Sequence, residues 1–134
     1  QGCTDVYMSE DLGLCTFQRH HKLKLYLFLT AMREYRDELN LAGIKVHYKT
    51  LDINDENTYV DSLYTFLEKK TDTVNFFEIE DKPFEKQFLN LESKKINLIE
   101  HQSPMFLFSR KEFAEFHEGK KNFRMAKMHR NIIK

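Results

Sequence analysis

The sequence predicts an α/β protein: a doubly wound, mainly parallel, Rossmann-like sheet of four to five strands with helices on both faces. Three observations carry that prediction. Short β-branched and aromatic runs alternate with longer stretches of helical periodicity, in the order strand then helix, repeated along the chain. The connections are short, and alternation of this kind favours parallel strands joined by right-handed helical crossovers. The chain has 134 residues, 41% hydrophobic and 13% aromatic, enough for one domain with a core that needs no disulfides.

The elements follow in order. Residues 5–10, D-V-Y-M-S-E, read as the first strand, and 11–19 as a polar, glycine-containing loop. A helical pattern runs from about 20 to 42, with Leu25, Phe28, Leu29, Met32 and Leu39 at helical spacing and Tyr35 beside the stripe. Gly43 stands where a helix C-terminus favours a residue without a Cβ. Residues 44–51 alternate, with Ile44, Val46 and Tyr48 on one side, as in a strand. Asn54, Asp55 and Asn57 mark a turn, and Thr58 is placed to cap a helix over 59–70 with Val60, Leu63, Tyr64 and Leu67 as its stripe. Residues 73–79 form the third strand. Asp81, with Pro83 behind it, opens a helix to about 94 that carries Phe84, Phe88 and Leu91. Residues 96–100 are the fourth strand. Ser109 with Glu112 three residues on signals a capping box for a helix from 110. Gly119 interrupts it, and a basic helical segment runs from 122 onward. The expected division is an α/β domain over 1–109 and connector helices over 110–134.

A doubly wound sheet usually has its first strand near the centre, and here the first strand follows no helix. The expectation is a missing central strand. Residues 5–10 and their far neighbour should then lack a partner, and a chain in that state should dimerise through the open sheet.

Composition excludes several function classes. Lys+Arg and Asp+Glu both number 21, which argues against a wholly basic nucleic-acid-binding domain. Cys3 and Cys15 are too few for a disulfide framework and are not spaced as C-x-x-C, so free thiols in a cytoplasmic protein are expected. No apolar run approaches the ~20 residues of a membrane span, so no membrane partner is expected. Neither a G-x-G-x-x-G nor a G-x-x-x-x-G-K-[ST] phosphate cradle occurs. His20 and His21 are adjacent, so their side chains diverge by about 100° on a helix, and no H-x-x-x-H is present; no metal site and no catalytic set are expected.

Two candidate binding regions remain. Ligands of open α/β sheets sit beyond the C-terminal strand ends. Here those ends carry Ser9, Glu10 and Asp11, then Asp52, then Glu78 and Glu80, then His101 and Ser103. Carboxylates on one rim suit the hydroxyl groups of a ribityl or ribose chain, and Ser9, Glu10, Asp11, Asp52 and His101 are the expected contacts. The second region is basic. Residues 119–134 hold Lys120, Lys121, Arg124, Lys127, Arg130 and Lys134 and no acid, with apolar residues between them. A connector helix is the expected role; phosphate or partner contact through Lys120, Lys121, Arg124, Lys127 and Arg130 is the alternative.

Several blocks resemble a known family. R-H-H-K-L-K-L-Y-L-F-L-T-A-M-R (19–33) and I-K-V-H-Y (44–48), then S-P-M-F-L-F-S-R-K-E-F (103–113) and F-R-M-A-K-M-H-R (123–130), resemble the deoxyribodipyrimidine photolyase-related proteins, also called iron–sulfur bacterial cryptochromes and photolyases. The blocks stand in the family's order across nearly all of the chain. The resemblance implies an N-terminal α/β domain that holds a lumazine-type antenna pigment. It also implies a large helical domain that holds FAD, a 4Fe–4S cluster and the DNA lesion pocket of a photolyase-type lyase. The family's first strand, which precedes D-V-Y-M-S-E, and its helical domain are not in this sequence, and two cysteines cannot ligate that cluster. The chain is therefore expected to be the antenna domain without its own catalytic site. Its partners would be its helical domain and, through the whole protein, damaged DNA. On this reading Glu10 would accept a hydrogen bond from the pigment's polar ring edge or ribityl chain.

Overall fold

The computed structural model describes residues 5–69, 73–106 and 108–118. Four short strands alternate with helices: β1 (Asp5–Ser9), α1 (Leu12–Thr16), α2 (Lys22–Leu41), β2 (Lys45–Lys49), α3 (Tyr59–Leu67), β3 (Thr73–Phe77), α4 (Lys82–Leu89), a 3₁₀ turn (Asn90–Lys94), β4 (Asn97–His101) and α5 (Arg110–His117). The α/β class and the parallel direction are as the sequence predicts. The single sheet of four to five strands is not seen. β1 pairs with β2, β3 pairs with β4, both in parallel, and no ladder among the described residues joins the two pairs.

Local chemistry sets the helix ends. Thr58 and Ser109 each close a capping box, with Asp61 and Glu112. Asp81 accepts the Phe84 amide, with Pro83 in the first turn of α4. Gly43 takes φ +81 just beyond α2, a conformation that a Cβ would oppose. Two boundaries differ from expectation. The loop after β1 contains a short helix, α1, because Asp11 accepts the amides of Gly13 and Leu14 and so starts a turn too short for periodicity to reveal. The helix expected to reach residue 94 tightens into the 3₁₀ turn after Leu89 and stops at Lys95, which lies at φ +66.

The core lies on one side of both strand pairs. Val60, Leu63 and Leu67 of α3, Phe88 of α4, and Leu91 and Ile96 beyond it are buried together, with Val74, Phe76 and Leu98 packed against them. Tyr7 and His47 are opposite one another in the register and both pack on Phe66 of α3. Their neighbours Met8 and Tyr48 face the other way, where Arg36 of α2 lies over the Tyr48 ring. So α2 and α3 cover opposite faces of β1–β2. Phe76 packs on Phe88 of α4, while Phe77 and Ile99 on the reverse face are exposed. The apolar stripe of α2 is less covered than its periodicity suggests: the helix buries no residue fully, and Phe28 and Tyr35 are 62% and 54% exposed. Among the described residues no helix is long and apolar enough to cross a membrane.

Candidate functional site

Beyond the C-terminal ends of β1 and β2 lies an open polar cleft. Its walls include Ser9, Glu10 and Asp11 from the exit of β1, Lys49 and Asp52 from the exit of β2, and Tyr59 at the start of α3. Counted to its open mouth it encloses about 230 Å³, below the ~300–1,000 Å³ of typical small-molecule pockets.

Glu10 is the most constrained of these groups. Its side chain is fully buried, and Arg33 of α2 grips it bidentately, Nε to Oε1 at 2.7 Å and Nη2 to Oε2 at 2.9 Å. The Tyr48 hydroxyl donates to Oε1 at 2.6 Å and the Leu51 amide to Oε2 at 2.8 Å. Four donors fill the four acceptor positions of a carboxylate. The Arg33 guanidinium, above all, holds the Glu10 carboxyl down at about 2, and burial with the Glu10 charge beside it pushes the Tyr48 phenol up to about 12. Glu10 therefore ties α2 to the exits of β1 and β2, rather than standing open as the acceptor the sequence suggested.

Asp11 is also engaged. Oδ1 caps α1, and Oδ2 accepts the Tyr59 amide at 2.7 Å, so one carboxylate serves the N-termini of α1 and α3. Lys49 donates to the Ser62 hydroxyl at 2.5 Å and pairs with Asp55, whose carboxyl that contact and the Asn57 amide hold at about 2. Ser9 is buried and donates to the Glu10 carbonyl oxygen. Asp52 is exposed; its Oδ1 accepts the Asn54 amide in a local turn. Tyr59 packs edge-on against Tyr7 and Phe84, and burial pushes its phenol up to about 12.

The structure thus brings Ser9, Glu10, Asp11 and Asp52 together. It places His101 apart, at the end of β4, with Nε2 2.8 Å from Asn75 Oδ1. Lys120, Lys121, Arg124, Lys127 and Arg130 lie outside the described residues. Sequence reasoning missed Lys49, Asp55 and Ser62 in the cleft and Arg33 behind it. The available signal was a lysine at a strand end just before an Asp/Asn turn. Among the described residues no three His, Cys, Asp or Glu side chains converge as a metal site requires. The donor set of acids, hydroxyls and one lysine fits a hydroxylated chain. Leu12 and Tyr59 are the apolar surfaces among the lining residues.

Compared with known proteins, the chain matches the family model described as deoxyribodipyrimidine photo-lyase-related protein over residues 1–132. No curated protein matches it.

Proposed function

The chain belongs to the deoxyribodipyrimidine photo-lyase-related protein family, and we propose that it serves as the antenna-chromophore-binding α/β part of a cytoplasmic flavoprotein of light-driven DNA repair or light sensing. FAD, a 4Fe–4S cluster and damaged DNA would be handled by a helical partner domain. The observation that carries this reading is the polar cleft at the strand ends, where Ser9, Lys49 and Asp52 stand together. An antenna has to be held at a fixed distance and angle from the flavin and needs no covalent chemistry from its holder. Asp52, Lys49 and Ser9 would contact the hydroxylated chain of a lumazine-type pigment, while Glu10 and Asp11 keep the rim rigid.

Titrating the protein into a lumazine and following its fluorescence tests the proposal. Saturable quenching, weakened at least fivefold by Asp52→Ala, is expected. Unchanged fluorescence at high protein concentration would overturn it. A second reading rests on the six-cation run of residues 119–134: contact with nucleic acid or an acidic partner. Under it, binding falls steeply with added salt and is lost when Lys120, Lys121 and Arg124 are neutralised.

A further inference from the structure

We infer, on the pigment-binding reading of the same cleft, that it admits ligands whose hydroxyls are free and rejects their phosphate esters, with Asp11 and Asp52 as the residues that set this selectivity.

Asp11 stands where a phosphate would. In open α/β proteins that hold phosphate esters, the phosphate sits beyond a strand end, on the backbone amides that open a helix. At this cleft those amides belong to α1 and α3. Asp11 already takes them up. Its Oδ1 accepts from the Gly13 amide at 2.5 Å and the Leu14 amide at 3.3 Å, and its Oδ2 accepts from the Tyr59 amide at 2.7 Å. At the start of α3 the Asp61 carboxylate accepts the Thr58 amide as well, and the Thr58 hydroxyl oxygen accepts the Asp61 amide. The partial positive charge of these helix starts is thus met by carboxylates of the chain itself.

The cations are committed in the same way. Lys49 is the one cation among the described lining residues. It donates to the Ser62 hydroxyl and pairs with Asp55. Arg33, behind the rim, spends Nε and Nη2 on Glu10. Glu10 and Asp55 are therefore balanced by charge. Asp11 and Asp52 have no cation within salt-bridge distance among the described residues.

The neutral donors point inward too. The Ser9 hydroxyl donates to the Glu10 carbonyl oxygen, and the Asn57 side-chain amide to Asp55. What the rim keeps open is acceptor capacity, above all on Asp52, which is exposed and whose Oδ1 accepts the Asn54 amide of its own turn. A hydroxyl suits such a rim, because it donates to a carboxylate oxygen. A phosphate monoester carries about −1.5 to −2 charges at pH 7 and offers acceptor oxygens. It meets Asp11 and Asp52 with like charge, between protein walls that strengthen the repulsion over its value in water. A repulsion built into the site separates two ligands that share every other group.

Equilibrium titration of the protein at pH 7 with a ribityl-bearing lumazine, and with the same lumazine phosphorylated at the end of its chain, is the test, read by fluorescence. The ester should bind roughly 30-fold more weakly in about 20 mM salt, and the gap should shrink about threefold in roughly 300 mM salt as screening takes hold. Asp52→Asn keeps an acceptor for the Asn54 amide and should narrow the low-salt gap by about threefold. Equal or tighter binding of the ester would overturn the inference and leave the pigment-binding reading standing. A gap that neither salt nor Asp52→Asn alters would trace the rejection to size and overturn the role of the two carboxylates. Binding of neither compound would overturn the pigment-binding reading and this selectivity with it.

Discussion

Replacing Glu10 with Gln removes one negative charge from a fully buried position while keeping the side chain's size. Gln offers one oxygen to the four donors that now converge there, Arg33 Nε and Nη2, the Tyr48 hydroxyl and the Leu51 amide. Its amide group must face at least one of those donors with a donor of its own. The folded carboxyl is held at about 2, against roughly 4.3 for an unperturbed glutamate, and that gap corresponds to about 3 kcal/mol favouring the folded state. Arg33 is half exposed, so solvent weakens its share; the expected loss for Glu10→Gln is about 2 kcal/mol at pH 7. Because the folded value lies below the unfolded one, this stabilisation is complete above about pH 5. It drains as the carboxylate takes up a proton and is gone only below the folded value, at about pH 1. Urea unfolding of both proteins at pH 7, 5, 4 and 3 reads this directly, as a gap that closes toward acid. A gap under about 0.5 kcal/mol at pH 7, or one that stays constant down to pH 3, would refute the assignment of Glu10 as a charged tie.

Three further outcomes are expected. Leu91→Ala empties a fully enclosed position under α3 and α4 and should cost ~2–5 kcal/mol in chemical denaturation; a loss below about 1 kcal/mol would mean that the core is not closed there. Thr58→Ala removes the hydroxyl that accepts the Asp61 amide and should cost about 1 kcal/mol, whereas Thr58→Ser should recover most of it. Arg110→Met releases the start of α5 from the Glu85 carboxylate and the Ile79 carbonyl oxygen. Amide exchange in α5 should then quicken at least tenfold with α3 unchanged, and equal quickening in both helices would point to global destabilisation instead.

The parts of the fold that were legible are those decided within a few residues. Thr58, Asp81, Ser109 and Gly43 act through hydrogen bonds or dihedral angles that a four-residue window contains. The stripe of α3 was legible because apolar spacing and burial coincide there. On α2 they do not: Leu25, Leu29 and Met32 are partly covered, while Phe28 and Tyr35 stand bare. Periodicity tells which side of a helix is apolar, and only the neighbouring elements decide whether that side is covered. The division into two strand pairs was hidden for the same reason, since pairing joins residues far apart in sequence. The site was half legible. Strand-end reasoning located Ser9, Glu10, Asp11 and Asp52 at one cleft, yet it could not foresee that Arg33, 23 residues beyond Glu10, would take up its charge.

That difference bears on how the cleft can bind anything. A rim rich in polar atoms still offers few of them when hydrogen-bonding capacity already met inside the chain is withdrawn from a ligand. Glu10 has all four acceptor positions filled, Asp11 divides its oxygens between two helix starts, and Lys49 is held between Ser62 and Asp55. Asp52, exposed and bound only to its own turn, keeps the most capacity. A ligand seated here would therefore draw chiefly on Asp52, so Asp52→Ala should weaken its binding more than removal of any other single rim group does. Equal weakening on removing the Lys49 ammonium, which Ser62 and Asp55 already engage, would refute that ranking.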